Sequence, residues 1–229
     1  MELIIPIILL ILSILVFVFV FKINIKKAKE IESNKEMETI TDKFPDNKKI
    51  AEEILNLLDN KTVKIEEAKD TKTSLYIAPT NKIIIADMRN NYGRIQTIAH
   101  ECIHSCQDKR LLMGNFILSN LYIIYYIITI FLTIFKIYEN THLHLFILSI
   151  FSFVVFGIRA FLEIDAMTKS RFLAEKYIDK KEICTLEEKE VLLKSYDMIN
   201  EIGIPFVINS LFFSSILKLI IYLVIAAIF

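Results

Sequence analysis

The chain has 229 residues, 54% of them hydrophobic, and its 27 basic and 27 acidic side chains cancel. A mean hydropathy of +0.48 excludes an ordinary soluble domain. No basic stripe with interleaved aromatics is present, which excludes a nucleic-acid partner.

Leu3 to Phe21 carries no charge and has the length of a membrane-crossing helix. Lys22, Lys26, Lys27 and Lys29 crowd its far end, whereas only Met1 and Glu2 precede it, so the expected orientation has the N-terminus outside and residue 22 onward in the cytosol. A cleaved signal peptide would carry its charges before the apolar run and end in small residues, so a retained anchor over 1–22 is expected instead. Glu30 to Phe44 is charged and aperiodic, which fits a tether or an exposed helix. After Pro45 and Asp46, the apolar positions Ile50, Ile54, Leu57 and Leu58 recur at helical spacing. Val63 to Ile65 alternates with charges and predicts a short strand. Leu75-Tyr76-Ile77 and Ile83-Ile84-Ile85 flank Pro79-Thr80-Asn81, the pattern of a strand pair with a polar turn.

The next helix, beginning near Tyr92 or Gly93, contains His100-Glu101-Cys102-Ile103-His104. Residues four apart stack on one helix face, so both imidazoles can reach one metal ion while Glu101, one step round, faces a water on it. Projected at 3.6 residues per turn, His100, His104, Gln107 and Asp108 share a polar face. Ile95, Ala99, Cys102 and Cys106 share the opposite, apolar one. Two histidines serving only as core residues would sit among apolar neighbours. Cys102 and Cys106 point away from the histidines and, with Cys184, are expected as reduced thiols, the helical pair acting as small buried hydrophobes.

Three further apolar runs follow. Phe116 to Phe135 is uncharged; Leu143 to Ile158 extends to Leu162 if Arg159 snorkels; Ile204 to Phe229 is interrupted only by Lys218. Of the 27 Lys and Arg, 17 fall in 22–115, one in 136–142 and seven in 163–203, a distribution that a four-span arrangement with both large loops cytosolic satisfies. The short connection Lys136 to His142 forces an antiparallel hairpin, which returns the chain to the motif side at about residue 163. Glu163 is therefore the leading third metal ligand, with Asp165 as the alternative ligand or as a hydrogen-bonding partner behind it. His142 and His144 fall at the far end of the hairpin, where interfacial or solvated positions are expected. Thr185-Leu186-Glu187-Glu188 has the form of a capping box, and Gly203 reads as the stop of the helix it opens. Asn209, Ser210, Ser214, Ser215 and Lys218 are polar groups in the last span, for which packing and snorkelling are expected.

Leu75-Tyr76-Ile77, Lys82-Ile83-Ile84-Ile85, Asn91-Tyr92-Gly93-Arg94, Ile98-Ala99-His100-Glu101 with His104 and Gln107, and Glu163-Ile164-Asp165-Ala166 together resemble the YugP-type neutral zinc metallopeptidases of bacterial membranes. More distantly they are similar to HtpX and the CAAX prenyl proteases, gluzincins whose third ligand is a glutamate in a later Glu-x-x-Ala segment. The resemblance covers roughly 70–180. It implies zinc held by His100, His104 and Glu163, with Glu101 as the catalytic acid-base. Ile103 departs from the usual glycine between the glutamate and the second histidine. Met167 stands where the HtpX group has an aspartate, which leaves the hydrogen bonding behind the ligands to Asp108 or Asp165.

The expectation is thus a mainly α membrane protein of about four transmembrane helices with a cytosolic zincin-like α+β catalytic domain. Its segments are an anchor at 1–22, the motif region at 23–115, a transmembrane hairpin at 116–162, a cytosolic helical region at 163–203 and a membrane helix at 204–229. The expected activity is zinc-dependent hydrolysis of membrane-associated or unfolded polypeptides at the cytosolic face of the cell membrane, with an extended substrate added to the edge of the Leu75 or Lys82 strand. Its alternatives are an inactive zinc-binding scaffold or partner-binding protein, and a hydrolase of lipids or small molecules.

Overall fold

The computed structural model describes residues 8, 9, 11, 12, 14–16, 18, 19, 35–68, 71, 73–88, 91–137 and 140–229. Lys22, Lys26, Lys27 and Lys29, on which the expected orientation rests, lie outside these, as does the expected tether at 30–34. In the first apolar segment the described residues are helical and exposed. The chain divides into two compact units. One takes Gly114–Phe161 and Pro205–Phe229 with the described residues of the first segment; the other takes the described residues of Ile25–Met113 with Leu162–Ile204.

The second unit opens with α1 (Lys35–Thr41) and α2 (Asn47–Leu57). Asp46 starts α2 by accepting the Lys49 N–H at 2.8 Å, satisfying one of the donors that a helix N-terminus leaves over. Ile50, Ala51 and Ile54 then form its buried face. Residues 35–44 are not the exposed helix that their charge suggests. Met37 and Ile40, one turn apart on α1, and Phe44 beyond its end are buried.

Three strands follow, β1 (Lys64–Ala68), β2 (Leu75–Ile77) and β3 (Lys82–Ala86), in the order β1-β3-β2. β2 and β3 pair antiparallel with Tyr76 opposite Ile83, and β1 runs parallel to β3 with Lys64 opposite Lys82. The turn is a short 3-10 segment over Ala78–Thr80 closed by Asn81 at φ 49°, a left-handed conformation that asparagine tolerates. Tyr76 Oη donates to Asn81 Oδ1 at 2.9 Å and holds it there. β3 is central, so both its edges are already paired. The Lys82 strand therefore cannot recruit a substrate, which leaves the β2 edge of the two expected.

α3 (Arg94–His104) carries the motif and buries Ile95, Ile98, Ala99 and Cys102 against Ile83 and Ile85 of β3 and Ile50 and Ile54 of α2, within a core that also includes Ala166, Leu173, Leu192 and Tyr196. Arg94, 1% exposed, fixes its start: the guanidinium donates to Thr41 O, Phe44 O, Pro45 O and Asn47 Oδ1 at 2.5–3.1 Å. It thereby ties the end of α1, the connection after it and the first residue of α2 to the motif helix. Cys106 is exposed rather than buried, because α3 has ended before it, whereas Cys102 lies in the core as expected.

Three long helices complete the chain: α4 (Lys109–Ile134), α5 (Thr141–Lys181) and α6 (Leu186–Ile228). Each is long and apolar enough to cross a membrane. α6 begins with a reciprocal capping box, Thr185 N–H to Glu188 Oε2 at 3.0 Å and Glu188 N–H to Thr185 Oγ1 at 3.2 Å. It does not stop at Gly203. That glycine has no positive φ, and a Cβ built on it would lie 2.7 Å from Met167 Cε, so it serves close packing rather than a cap. The helix also runs on through Pro205.

In the first unit, polar side chains meet one another across the helices. Tyr122 Oη donates to Ser152 Oγ at 3.3 Å, and Tyr125 Oη lies 2.9 Å from His144 Nδ1. His144, expected as interfacial or solvated, is buried with that hydroxyl at its Nδ1, while His142 is exposed. The Lys218 ammonium sits 5.3 Å from the Tyr122 ring centroid and 3.4 Å from Ser214 Oγ.

Candidate metal centre

His100 and His104 occupy successive turns of α3, with ring centroids 4.6 Å apart and planes at 89°. Their Nε2 atoms are 3.0 Å apart. Glu163, on α5 just past the end of its apolar stretch, places Oε2 3.5 Å from His100 Nε2 and 3.8 Å from His104 Nε2. Zinc bonds of about 2.0–2.1 Å in tetrahedral geometry put neighbouring donor atoms about 3.3 Å apart, so the three donors have the separation that the ion needs. Two imidazole nitrogens and a carboxylate oxygen are also a donor set suited to it. The side chains are 18%, 12% and 26% exposed, open on one side to solvent. Among the described residues this is a three-membered donor group, and Asp165 is not part of it.

Glu101 stands beside the triad and is 6% exposed. Burial raises the pKa of its carboxyl above the ordinary value, against the opposing pull of His100, His104 and a hydrogen bond from the Tyr76 backbone in β2. Burial acts on Glu163 in the same sense, but the two imidazoles beside it outweigh it and hold that carboxyl well below the usual carboxylate range. The two glutamates are pushed apart: Glu163 stays an anion fit to bind a cation, whereas Glu101 is poised to exchange a proton.

Asp165 and Asp108 do not touch either imidazole directly. Asp108 Oδ1 accepts the Arg110 N–H at 2.7 Å and so starts α4. Asp165 Oδ2 instead accepts from Gln107 Nε2 at 3.0 Å, and it is Gln107 Oε1 that meets His104 Nδ1, at 2.8 Å. Helical projection places Gln107 on the histidine face but gives it no task; the signal available was its spacing, three residues beyond the second histidine. Gln96 was not singled out at all. One turn before His100, it donates to Asn200 Oδ1 at 2.9 Å, and Asn200 Nδ2 donates to Met167 O at 3.0 Å, so α3, α5 and α6 are joined behind the site. No family model, curated protein or solved structure matches this chain.

Proposed function

We propose that this chain is a zinc-dependent peptidase of the membrane, with His100, His104 and Glu163 as zinc ligands and Glu101 as general base. The observation that carries this reading is the convergence of His100 Nε2, His104 Nε2 and Glu163 Oε2 beside a buried second carboxylate. Bound there, zinc supplies Lewis acidity, lowering the pKa of a water towards 7 and drawing charge from a carbonyl. Glu101 takes a proton from the attacking water as its oxygen bonds to the peptide carbon, then hands it to the leaving amine as the C–N bond breaks. The Tyr76 N–H steadies the Glu101 carboxylate during this exchange. An extended polypeptide would lie along the edge of β2 that β3 does not pair, where the Tyr76 N–H is already engaged with Glu101, a mode that needs little side-chain selectivity.

The substrate class proposed is membrane-associated or unfolded polypeptide. It is supported by the three helices apolar enough to cross a membrane, the first of which opens five residues after His104. The likeness to YugP-type peptidases agrees with the Glu101 assignment. A scaffold with a structural zinc is the second reading, but such sites are closed by four protein ligands, and the donor group here has three among the described residues.

Metal analysis of the purified chain in detergent tests the ligand set. One zinc per chain is expected, lost in His100→Ala, His104→Ala and Glu163→Ala and kept in His142→Ala. Loss in His142→Ala with retention in Glu163→Ala would refute the site.

A further inference from the structure

Gln107 lies in the short link between α3 and α4, one turn beyond His104. Its amide is used at both ends. Nε2 donates to Leu162 O at 2.8 Å and to Asp165 Oδ2 at 3.0 Å, and Asp165 Oδ1 is in turn held by Lys169 Nζ at 2.6 Å. A carbonyl oxygen and a salt-bridged carboxylate only accept, so these two contacts assign the amide nitrogen to that side. The oxygen, Oε1, then faces His104 Nδ1 at 2.8 Å. An amide oxygen only accepts as well, and Nδ1 must carry the hydrogen. In neutral imidazole that leaves Nε2 with its lone pair, the same atom that lies 3.0 Å from His100 Nε2 and 3.8 Å from Glu163 Oε2.

We propose that Gln107 is the positioning residue of the metal centre: it locks His104 in the tautomer that presents Nε2, and it ties this histidine to the turn of α5 that carries Glu163. One amide thereby links two of the ligands, which come from helices far apart in the chain. A direct carboxylate partner for His104 is unnecessary, since Asp165 acts through the amide. This role rests on the metal-site reading above.

The test uses the full chain in detergent, with peptide cleavage scored separately so that loss of the enzyme reading is told apart from loss of this one. With only four histidines in the sequence, nitrogen-15 histidine labelling resolves the ring tautomers in chelator-treated protein. The parent should show His104 protonated on Nδ1, and Gln107→Met should show a mixture. Zinc affinity, measured by competition with a chelating dye, should fall about 10- to 100-fold in Gln107→Met. The double variant Gln107→Glu with Asp165→Asn keeps an acceptor for His104 and reverses the donor between 107 and 165, while losing the donor to Leu162 O; it should restore the Nδ1–H tautomer and recover part of the affinity lost in Gln107→Met. Zinc affinity and tautomer unchanged in Gln107→Met would overturn the proposal. So would a double variant whose His104 tautomers are as mixed as in Gln107→Met, because the acceptor at 107 would then not be what sets them. A parent that binds no zinc would overturn the site and this role together.

Discussion

Glu101 and Arg94 are both buried charged residues of α3, and they show how differently one helix uses such groups. Glu101 is held beside two imidazoles with its pKa raised, a state suited to proton transfer. Glu101→Gln keeps its shape and removes the acceptor. Zinc content should stay at the parent level while peptide cleavage falls about 100- to 10,000-fold. Equal cleavage by the two proteins would exclude the mechanism. Arg94 instead donates to four oxygens between Thr41 and Asn47. Arg94→Met leaves those acceptors without their donor, and the thermal unfolding midpoint should drop by the equivalent of about 3 kcal/mol. That the two histidines and Glu101 lie together was legible because helical spacing alone stacks residues four apart. Arg94 was not, since a cation in a first turn reads as solvated until the fold closes over it. Gln107 is an intermediate case, placed on the correct face by periodicity but given its task only by residues 162 and 165, which lie 55 and 58 positions away.

At the level of elements, local chemistry was the better guide. The strand pair about Pro79-Thr80-Asn81 and the Thr185–Glu188 box depend on contacts within a few residues, and both are present in the fold. β1 lies at Lys64–Ala68, later than its alternation suggests, because its register is set by parallel pairing with β3. The reading of Gly203 failed because a glycine ends a helix only where the backbone turns left-handed, and here neighbouring Met167 takes the space that a side chain would fill. That difference is measurable. Gly203→Ala should be neutral or stabilise by up to about 1 kcal/mol, since helix propensity improves and the flexible end of Met167 can shift. Destabilisation of about 1 kcal/mol or more, read from the same thermal melts, would show that Met167 cannot give way and that the close contact fixes the glycine.

For the whole molecule, composition carried the division into apolar and charged parts, and the two compact units follow it. Orientation rests on the lysines after the first segment and is tested independently of the zinc site. In a cysteine-free background, a membrane-impermeant thiol reagent added from outside should label His142→Cys and leave Lys61→Cys and Glu190→Cys unlabelled. All three positions are exposed in the fold, so protection would report the membrane rather than burial. The reverse pattern would put the proposed metal ligands outside and change the pool of substrates open to the proposed activity.

The separation of the ligands along the chain has a consequence in time. A growing chain that has reached Phe161 already contains the motif helix and both imidazoles, but not Glu163, and the intervening stretch is the apolar hairpin of α4 and the first part of α5. Two nitrogens without the carboxylate hold zinc poorly, and closing a loop of this length is entropically unfavourable until the hairpin and the core around Ala166 have formed. On the proposed reading, a nascent or misinserted copy therefore lacks its third ligand, and the proposed zinc-dependent activity would begin only once the chain's own biogenesis is complete.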